Sequence, residues 1–328
     1  MRIYQTRKLE MNKRYAALAP LNAEEMGNLG GHMFNFFSVR RLAQIKPFQA
    51  PTVADFIQWA QKEHGEDWNP YAQQLLSILT QMEAAGIVAR ADNAMFINRR
   101  YTAVFEVSNL GSKGVLFFGK AFGAPFIAKK IERDICMISV EAREMPAIGT
   151  GTVVGPGLVL TCAHVVQGNN ITSLQRQDGT QLPVIEVLAD DSLDIAFIKT
   201  DSAIEPINKD VAFRSAQVLE RVVNLGYPLV PRSIESTLIV HTGEICGQTK
   251  IDYGKIDVDL FTSFSRPGNS GGPLLSMDGR IIGIVTQSLE IEVENGLVLP
   301  FFASVPSRDI QKVAIKLLNK PLAWEDYS

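Results

Sequence analysis

Cysteine is scarce. The chain of 328 residues has three, Cys136, Cys162 and Cys246. An odd number at wide spacings gives neither a disulfide framework nor a paired set of metal ligands. A reducing compartment fits such a chain, so a cytoplasmic location is expected, with no metal and no cofactor. The residues from Met1 to Leu18 are charged and polar and lack the apolar stretch of a secretory signal, so export by that route is not indicated. Long hydrophobic runs are missing too. Residues 114–128 are the most apolar stretch, but Lys120 interrupts them, and they fall short of the roughly 20 residues a spanning helix needs. They are expected in a core or docking role, and no membrane span is expected. There is no internal repeat and no low-complexity tract.

What remains is ordinary globular material: 46% hydrophobic and 20% charged residues, enough to bury cores without staples. The length suits two domains. Charge divides the chain the same way. Residues 1–130 carry sixteen Lys/Arg against ten Asp/Glu, net +6, while residues 131–328 carry sixteen against twenty-five, net −9. We therefore expect an N-terminal domain with linker over 1–130 and a second domain over 131–328, with different partners.

In the first part, Val53, Phe56, Ile57 and Ala60 recur at helical spacing behind the candidate cap Thr52. After a turn-like segment, Leu75, Leu76, Ile78, Leu79 and Met82 predict a second helix that Gly86 can end. Ile87–Arg90 and Met95–Tyr101 predict two short strands around an Asp92-Asn93 turn. The order helix, helix, strand, turn, strand over residues 35–102 resembles a winged-helix domain, which implies DNA binding. The segment that would enter a groove, Asn69 to Ala85, has no Lys or Arg, although nucleic-acid affinity comes largely from cations set against phosphates. A protein-docking or regulatory role is therefore preferred, with Arg90, Arg99 and Arg100 left as candidate backbone contacts.

The second part changes texture. Short runs rich in branched residues, Thr152–Val154, Leu158–Thr161, Ile195–Ile198, Val222–Leu225, Ile256–Leu260 and Ile281–Val285, alternate with turn signals and predict a β-barrel or sandwich. Asp278-Gly279 predicts a hairpin turn. Ile310, Val313, Ala314, Leu317 and Leu318 form the stripe of a closing helix.

Three motifs in this part carry chemistry. Arg266-Pro267-Gly268-Asn269-Ser270-Gly271-Gly272-Pro273 sets a hydroxyl in a glycine-rich turn whose backbone N–H groups can face a cleft. Thr161-Cys162-Ala163-His164 places an imidazole just after a strand. Asp191-Ser192-Leu193-Asp194-Ile195 places a carboxylate at the mouth of another. Acyl transfer by serine needs a nucleophile, a base, an orienting acid and oxyanion donors. The candidates are Ser270, His164 and Asp194, with the N–H groups of Gly268 and Ser270 as donors.

At these residues the chain resembles the trypsin-like serine peptidases, especially the HtrA-like bacterial branch. The likeness rests on the order His, Asp, Ser, and on Gly149-Thr150-Gly151-Thr152-Val153-Val154, Asn224-Leu225-Gly226-Tyr227-Pro228, the nucleophile turn and Phe301–Pro306. It spans roughly residues 135–320 and implies a double six-stranded β-barrel with a triad in the cleft between barrels. The fold class is thus α+β multidomain, an all-β double barrel with a terminal helix behind a mainly helical N-terminal domain. Asn269 stands where the digestive enzymes carry the Asp that pairs with a freed N-terminus, so activation by propeptide removal is not expected. The residues after the last helix are too few for a PDZ domain, so regulation is expected from the N-terminal part or a partner.

Other readings of the same residues are weaker. Gly268–Gly272 also fits the G-x-S-x-G elbow of α/β-hydrolases, but that fold needs a histidine after the serine, and none follows Ser270. Cys162 reads as a small buried residue rather than a nucleophile, and His241 as an ordinary strand residue; His32 and His64 lie outside the peptidase part. The candidate substrate-binding wall is Phe264, Ser265, Thr286, Gln287 and Ser288. None of these is acidic, so a small or medium apolar P1 residue is expected unless Glu290 or Glu292 supplies a countercharge. The expected function is limited cleavage of a protein or peptide substrate. A regulatory adaptor, or a peptidase tethered to nucleic acid by the basic N-terminal part, stays open.

Overall fold

The structure is a computed structural model that describes residues 22–43, 50–65, 67–104, 115–142, 145–208, 211–251, 256–292 and 298–325. It divides into two compact units, residues 1–126 and 127–328.

In the first unit, helices α1 (Ala23–Ala43), α2 (Val53–His64) and α3 (Ala72–Ala84) precede the antiparallel strands β1 (Val88–Arg90) and β2 (Tyr101–Ala103). Helix α2 starts where the sequence indicates. Thr52 Oγ1 accepts from Asp55 N–H at 3.0 Å and the Asp55 carboxylate accepts from Thr52 N–H at 2.7 Å, a reciprocal capping box. Gly65, at φ +71°, ends it. The predicted strand Met95–Tyr101 is corrected: residues Phe96–Asn98 form a 3₁₀ turn, and pairing with β1 begins only at Tyr101. Asp92 is the reason. Its carboxylate accepts from the N–H groups of Ala94 and Arg100, both at 3.2 Å, and pairs with the Arg100 guanidinium at 3.3 Å, folding the segment back on itself. The core gathers Phe34, Phe37, Phe56, Trp68, Leu75, Leu79 and Tyr101. Helix α4 (Gly119–Ile131), kinked at Gly123 (φ +79°) and ending in the second unit, follows a 3₁₀ turn; Leu116, Phe117, Phe118 and Phe126 from this apolar stretch are buried, its core role as expected.

In the second unit, strands β3 (Ile135–Ala142), β4 (Met145–Gly155), β5 (Leu158–Thr161), β6 (Asn170–Arg176), β7 (Glu186–Asp190) and β8 (Ile195–Lys199) form one antiparallel sheet in the order β6-β3-β4-β5-β8-β7. Strands β9 (Arg221–Gly226), β10 (Ile239–Lys250), β11 (Asp257–Phe261), β12 (Pro273–Ser276), β13 (Ile281–Glu292) and β14 (Val298–Pro306) close into a barrel in the order β10-β11-β14-β13-β12-β9. The double six-stranded arrangement is present, one half closed by hydrogen bonding and the other a half-barrel with β6 and β7 as edges. Val222, Ile245, Phe261, Leu274, Ile282 and Val285 fill the closed barrel, each worth roughly 1.5–3 kcal/mol by burial.

The Asp278-Gly279 hairpin forms, with Gly279 at φ +74° and its N–H donating to Ser276 O at 2.9 Å. Only Gly279 of the pair is left-handed, the geometry of a longer hairpin loop rather than a two-residue one. Helix α5 (Ala163–Val166) is a single turn after β5, and helix α6 (Ser307–Leu318) follows β14 with Ile310, Val313 and Ala314 buried.

Candidate active site

The imidazole is placed by the end of β5. Thr161 is fully buried, its hydroxyl donating to Thr150 O on β4 at 2.7 Å, and α5 begins two residues later. His164 stands on this turn with its side chain about half exposed. Asp194 precedes β8 at φ +54°, a left-handed conformation few residues other than glycine adopt. That conformation aims the carboxylate at His164. His164 Nδ1 lies 2.9 Å from both carboxylate oxygens, and His164 N–H donates to Oδ1 at 3.0 Å. Asp194 also accepts from Thr286 Oγ1 at 2.5 Å. Burial works to raise the Asp194 carboxyl, but the His164 ring and the Thr286 hydroxyl outweigh it and hold the group below the usual carboxylate range. The carboxylate is therefore ionised and fixes the imidazole through Nδ1; among the described residues no hydrogen bond is made to Nε2.

Ser270 sits in the turn before β12. Its Oγ donates to Thr286 O at 3.0 Å, so one residue of β13 holds Ser270 through its carbonyl and Asp194 through its hydroxyl. The sequence places Thr286 on a substrate wall; the structure has it buried, with its hydroxyl on Asp194. Nothing in the motif marked that contact. A hydroxylic residue one step beyond the apolar run Ile281–Val285 was the available signal.

The peptide groups of the turn are tied down one by one. Pro267 O accepts from Leu229 N–H at 3.0 Å, Asn269 O from Gly272 N–H at 2.9 Å and Ser270 O from Thr150 N–H at 2.8 Å. Asn269 N–H donates to Arg266 O at 2.9 Å and Gly271 N–H to Val285 O at 2.8 Å. Among the described residues no backbone carbonyl accepts from Gly268 N–H or Ser270 N–H. Buried backbone groups are almost always paired, so these two amides stand out as available donors. Gly271, at φ +83°, has no room for a side chain: a Cβ would lie 2.2 Å from both Thr150 O and Thr161 Oγ1.

Of the remaining wall residues, Phe264 is partly exposed at 43% and packs against the rings of His241 and Phe302, at 5.9 and 5.5 Å between centroids, with the Arg266 guanidinium 4.8 Å over its face. Ser265 follows it, and Gln287 and Ser288 continue β13 after Thr286. The side chains of Glu290 and Glu292 lie outside the described ones. His241 is on β10, as an ordinary strand residue would be.

Cys162, His164 and Asp194 form the one metal-capable grouping among the described residues, with donor atoms within 4.8 Å of one another. Each is already engaged. Burial, reinforced by the Asp194 charge, pushes the Cys162 thiol up, so it stays protonated and donates to Val285 O at 3.2 Å. The histidine and aspartate bond each other.

Residues 149–284 match the trypsin-like peptidase domain family. Over 191 residues the chain is 31% identical to the Xenopus tropicalis serine protease HTRA1, covering 56% of this chain and 39% of that protein. It is 28% identical over 178 residues to the Bacillus subtilis serine protease Do-like HtrA, covering 51% of this chain and 37% of that one. The chain thus spans well under half the length of these relatives. A crystal structure of the serine endoprotease from Yersinia pestis aligns over 59% of this chain and 66% of its own, at 20% identity and a TM-score of 0.46. In the order of its motifs and in sequence, residues 149–284 of the second unit are thus similar to the trypsin-like peptidase domain, and the likeness extends to the HtrA-type serine proteases.

Proposed function

We propose that this chain is a serine endopeptidase. The observation that carries the reading is the shared bonding of Asp194: its carboxylate holds His164 Nδ1, and it meets Ser270 through the single residue Thr286. The Ser270 hydroxyl, which donates to Thr286 O in this structure, must turn to His164 Nε2 for the reaction; Oγ then attacks the scissile carbonyl as Nε2 takes its proton, and Asp194 stabilises the imidazolium. The negative oxygen that develops is received by the N–H groups of Gly268 and Ser270. Collapse breaks the C–N bond, His164 returns the proton to the leaving amine, and an acyl ester remains on Ser270. Water then attacks the ester, again with His164 as base, releasing the acid and restoring the hydroxyl. This chemistry calls for no cofactor.

The substrate class is protein or peptide. The aromatic surroundings of Phe264 support a small or medium apolar P1 residue. The three cysteines are free thiols, which supports a cytoplasmic, reducing setting. For the N-terminal unit we favour protein docking or regulation. Arg100, one of the cations a nucleic acid would use, is engaged internally with Ala50 O at 2.7 Å and with Asp92.

A fluorophosphonate probe tests the reading directly. It should label the wild-type chain and spare Ser270→Ala; equal labelling of both, or of neither, would overturn it. Comparing cellular peptide termini with wild type and Ser270→Ala would then give the substrate and its P1 residue. A Ser270→Ala chain that kept its full biological effect would favour the adaptor.

A further inference from the structure

The nucleophile turn is held at a point that the catalytic chemistry does not name. Thr150, on β4, is fully buried. Its N–H donates to Ser270 O at 2.8 Å, its Oγ1 donates to Gly268 O at 2.7 Å, and the same oxygen accepts from Tyr227 N–H at 2.9 Å. Its carbonyl accepts from Thr161 Oγ1, just before the turn that bears His164. One threonine therefore joins the strand leading to the base with the turn holding the nucleophile.

The consequence follows from peptide geometry. A trans peptide is planar, so fixing its C=O also fixes the opposite direction of its N–H. Gly268, at φ +103°, is the freest residue of the turn. Leu229 N–H holds the carbonyl of the peptide on its N-terminal side, and the Thr150 hydroxyl holds its own carbonyl on the other. The Gly268 N–H lies in the first plane, with Pro267 O, and the Thr150 hydroxyl, by fixing the second plane, keeps the first from turning about Gly268. At Ser270 the N–H lies in the plane that Gly272 N–H anchors through Asn269 O, and the Thr150 N–H, by holding Ser270 O, fixes the plane that follows. The Tyr227 N–H to Thr150 Oγ1 to Gly268 O sequence is a hydrogen-bond chain in which each link polarises the next. The site is also tight: a Cβ on Gly268 would lie 2.3 Å from Tyr227 O.

We infer that Thr150 is a positioning residue for the reaction: its hydroxyl and amide lock the Gly268–Ser270 turn so that the Gly268 and Ser270 amides face the developing oxyanion. This rests on the reading of Ser270 as nucleophile. Valine at 150 keeps the shape, removes the hydroxyl and leaves Gly268 O and Tyr227 N–H unpaired in the interior. Serine keeps the hydroxyl.

The experiment is saturable labelling of the full chain by a fluorophosphonate probe, which separates the binding constant of the probe from the maximal labelling rate, with thermal melting alongside. Thr150→Val should lower the maximal rate about 100-fold, the order of losing one oxyanion donor, with the binding constant unchanged. Thr150→Ser should retain the rate within about threefold, because the donor that matters is still present. A folded Thr150→Val chain labelled at the wild-type rate would overturn the inference. Should the valine variant fail to fold, the serine variant decides: a folded Thr150→Ser chain labelled tenfold or more slowly would overturn it. Wild type that is not labelled, or Ser270→Ala labelled like wild type, would instead count against the catalytic reading itself.

Discussion

Thr286 Oγ1 donates to Asp194 Oδ2 at 2.5 Å, and it does so from a buried position on β13 whose carbonyl also receives Ser270 Oγ at 3.0 Å. A hydrogen bond to a charged group is worth roughly 1.5–3 kcal/mol. Replacing Thr286 by valine keeps the carbonyl and removes only the hydroxyl. Fluorophosphonate labelling should then slow by about tenfold to a hundredfold, the same energy read as a rate. Since the Asp194 carboxyl is held below its ordinary value, its contribution to stability is complete above the unfolded value of about 3.9 and lost as pH falls through the lower folded one. The stability gap between wild type and Thr286→Val should accordingly close in strong acid. Labelling unchanged by Thr286→Val would remove the hydroxyl from the catalytic account.

Asp259 behaves in the opposite sense. It is buried on β11, accepts from Gln248 Nε2 at 2.6 Å, and burial raises its carboxyl to about 6, against the pull of Arg308. Between the unfolded value of about 3.9 and this one the native state binds the extra proton, so stability falls as pH rises through that window. The full effect is at most about 3 kcal/mol. Asp259→Asn keeps an acceptor for Gln248 and has nothing to ionise. Denaturant unfolding should find the variant more stable than wild type at pH 8 and equal to it near pH 4. A constant difference across that range would refute the assignment.

Legibility in the sequence follows the kind of physics involved. Helix α2 was readable because its cap and stop are local: Thr52, Asp55 and Gly65 lie within one short segment. Helix α1 was not, because Leu29, Met33, Phe34, Phe36 and Phe37 are buried from more than one side, while Gly27 and Gly30 pack under Phe126 and Phe122, leaving no clean stripe. The Met95–Tyr101 strand failed for a related reason: alternation suggested extension, but one carboxylate, Asp92, had bonded the backbone first. At the site, His164 and Asp194 came from their motifs and the structure brings them together. Thr286 was read only as a substrate wall and Thr150 only as part of a strand motif, since their contacts are made by single hydroxyls reaching residues 92 and 118 positions away in the chain.

The thiols offer a test of packing that does not depend on catalysis. Cys136 and Cys162 are buried and Cys246 is exposed. Burial pushes Cys136 up to about 12 and raises Cys162 as well, so neither supplies thiolate at neutral pH. Titration with a chromogenic disulfide should therefore find one fast thiol in the native chain, absent from Cys246→Ser, and the other two only after unfolding. A second fast thiol in the native protein would show that one of the two interior sites is open.

Arg280 and Glu325 tie the closing segment to the barrel. Arg280 is fully buried at the start of β13, and its Nε and Nη2 donate to the two oxygens of Glu325 at 2.9 and 3.0 Å, a bidentate pair. The segment is held beside it by Phe213, whose N–H donates to Ala323 O at 2.8 Å and whose carbonyl accepts from Glu325 N–H at 2.9 Å. Gln311 of α6 bonds both backbone groups of Leu322. Removing one partner of a buried pair costs about 3–5 kcal/mol because it strands a charge, whereas replacing both by apolar groups is often neutral. Glu325→Ala should lower the stability of the full chain by about 3 kcal/mol in urea unfolding. The double variant Arg280→Met, Glu325→Leu should recover most of that loss. If Glu325→Ala cost no more than an exposed ion pair, under about 1 kcal/mol, the pair would be an ornament of the surface; if the double variant were as unstable as the single one, the loss would come from the shape of the segment and not from the stranded guanidinium.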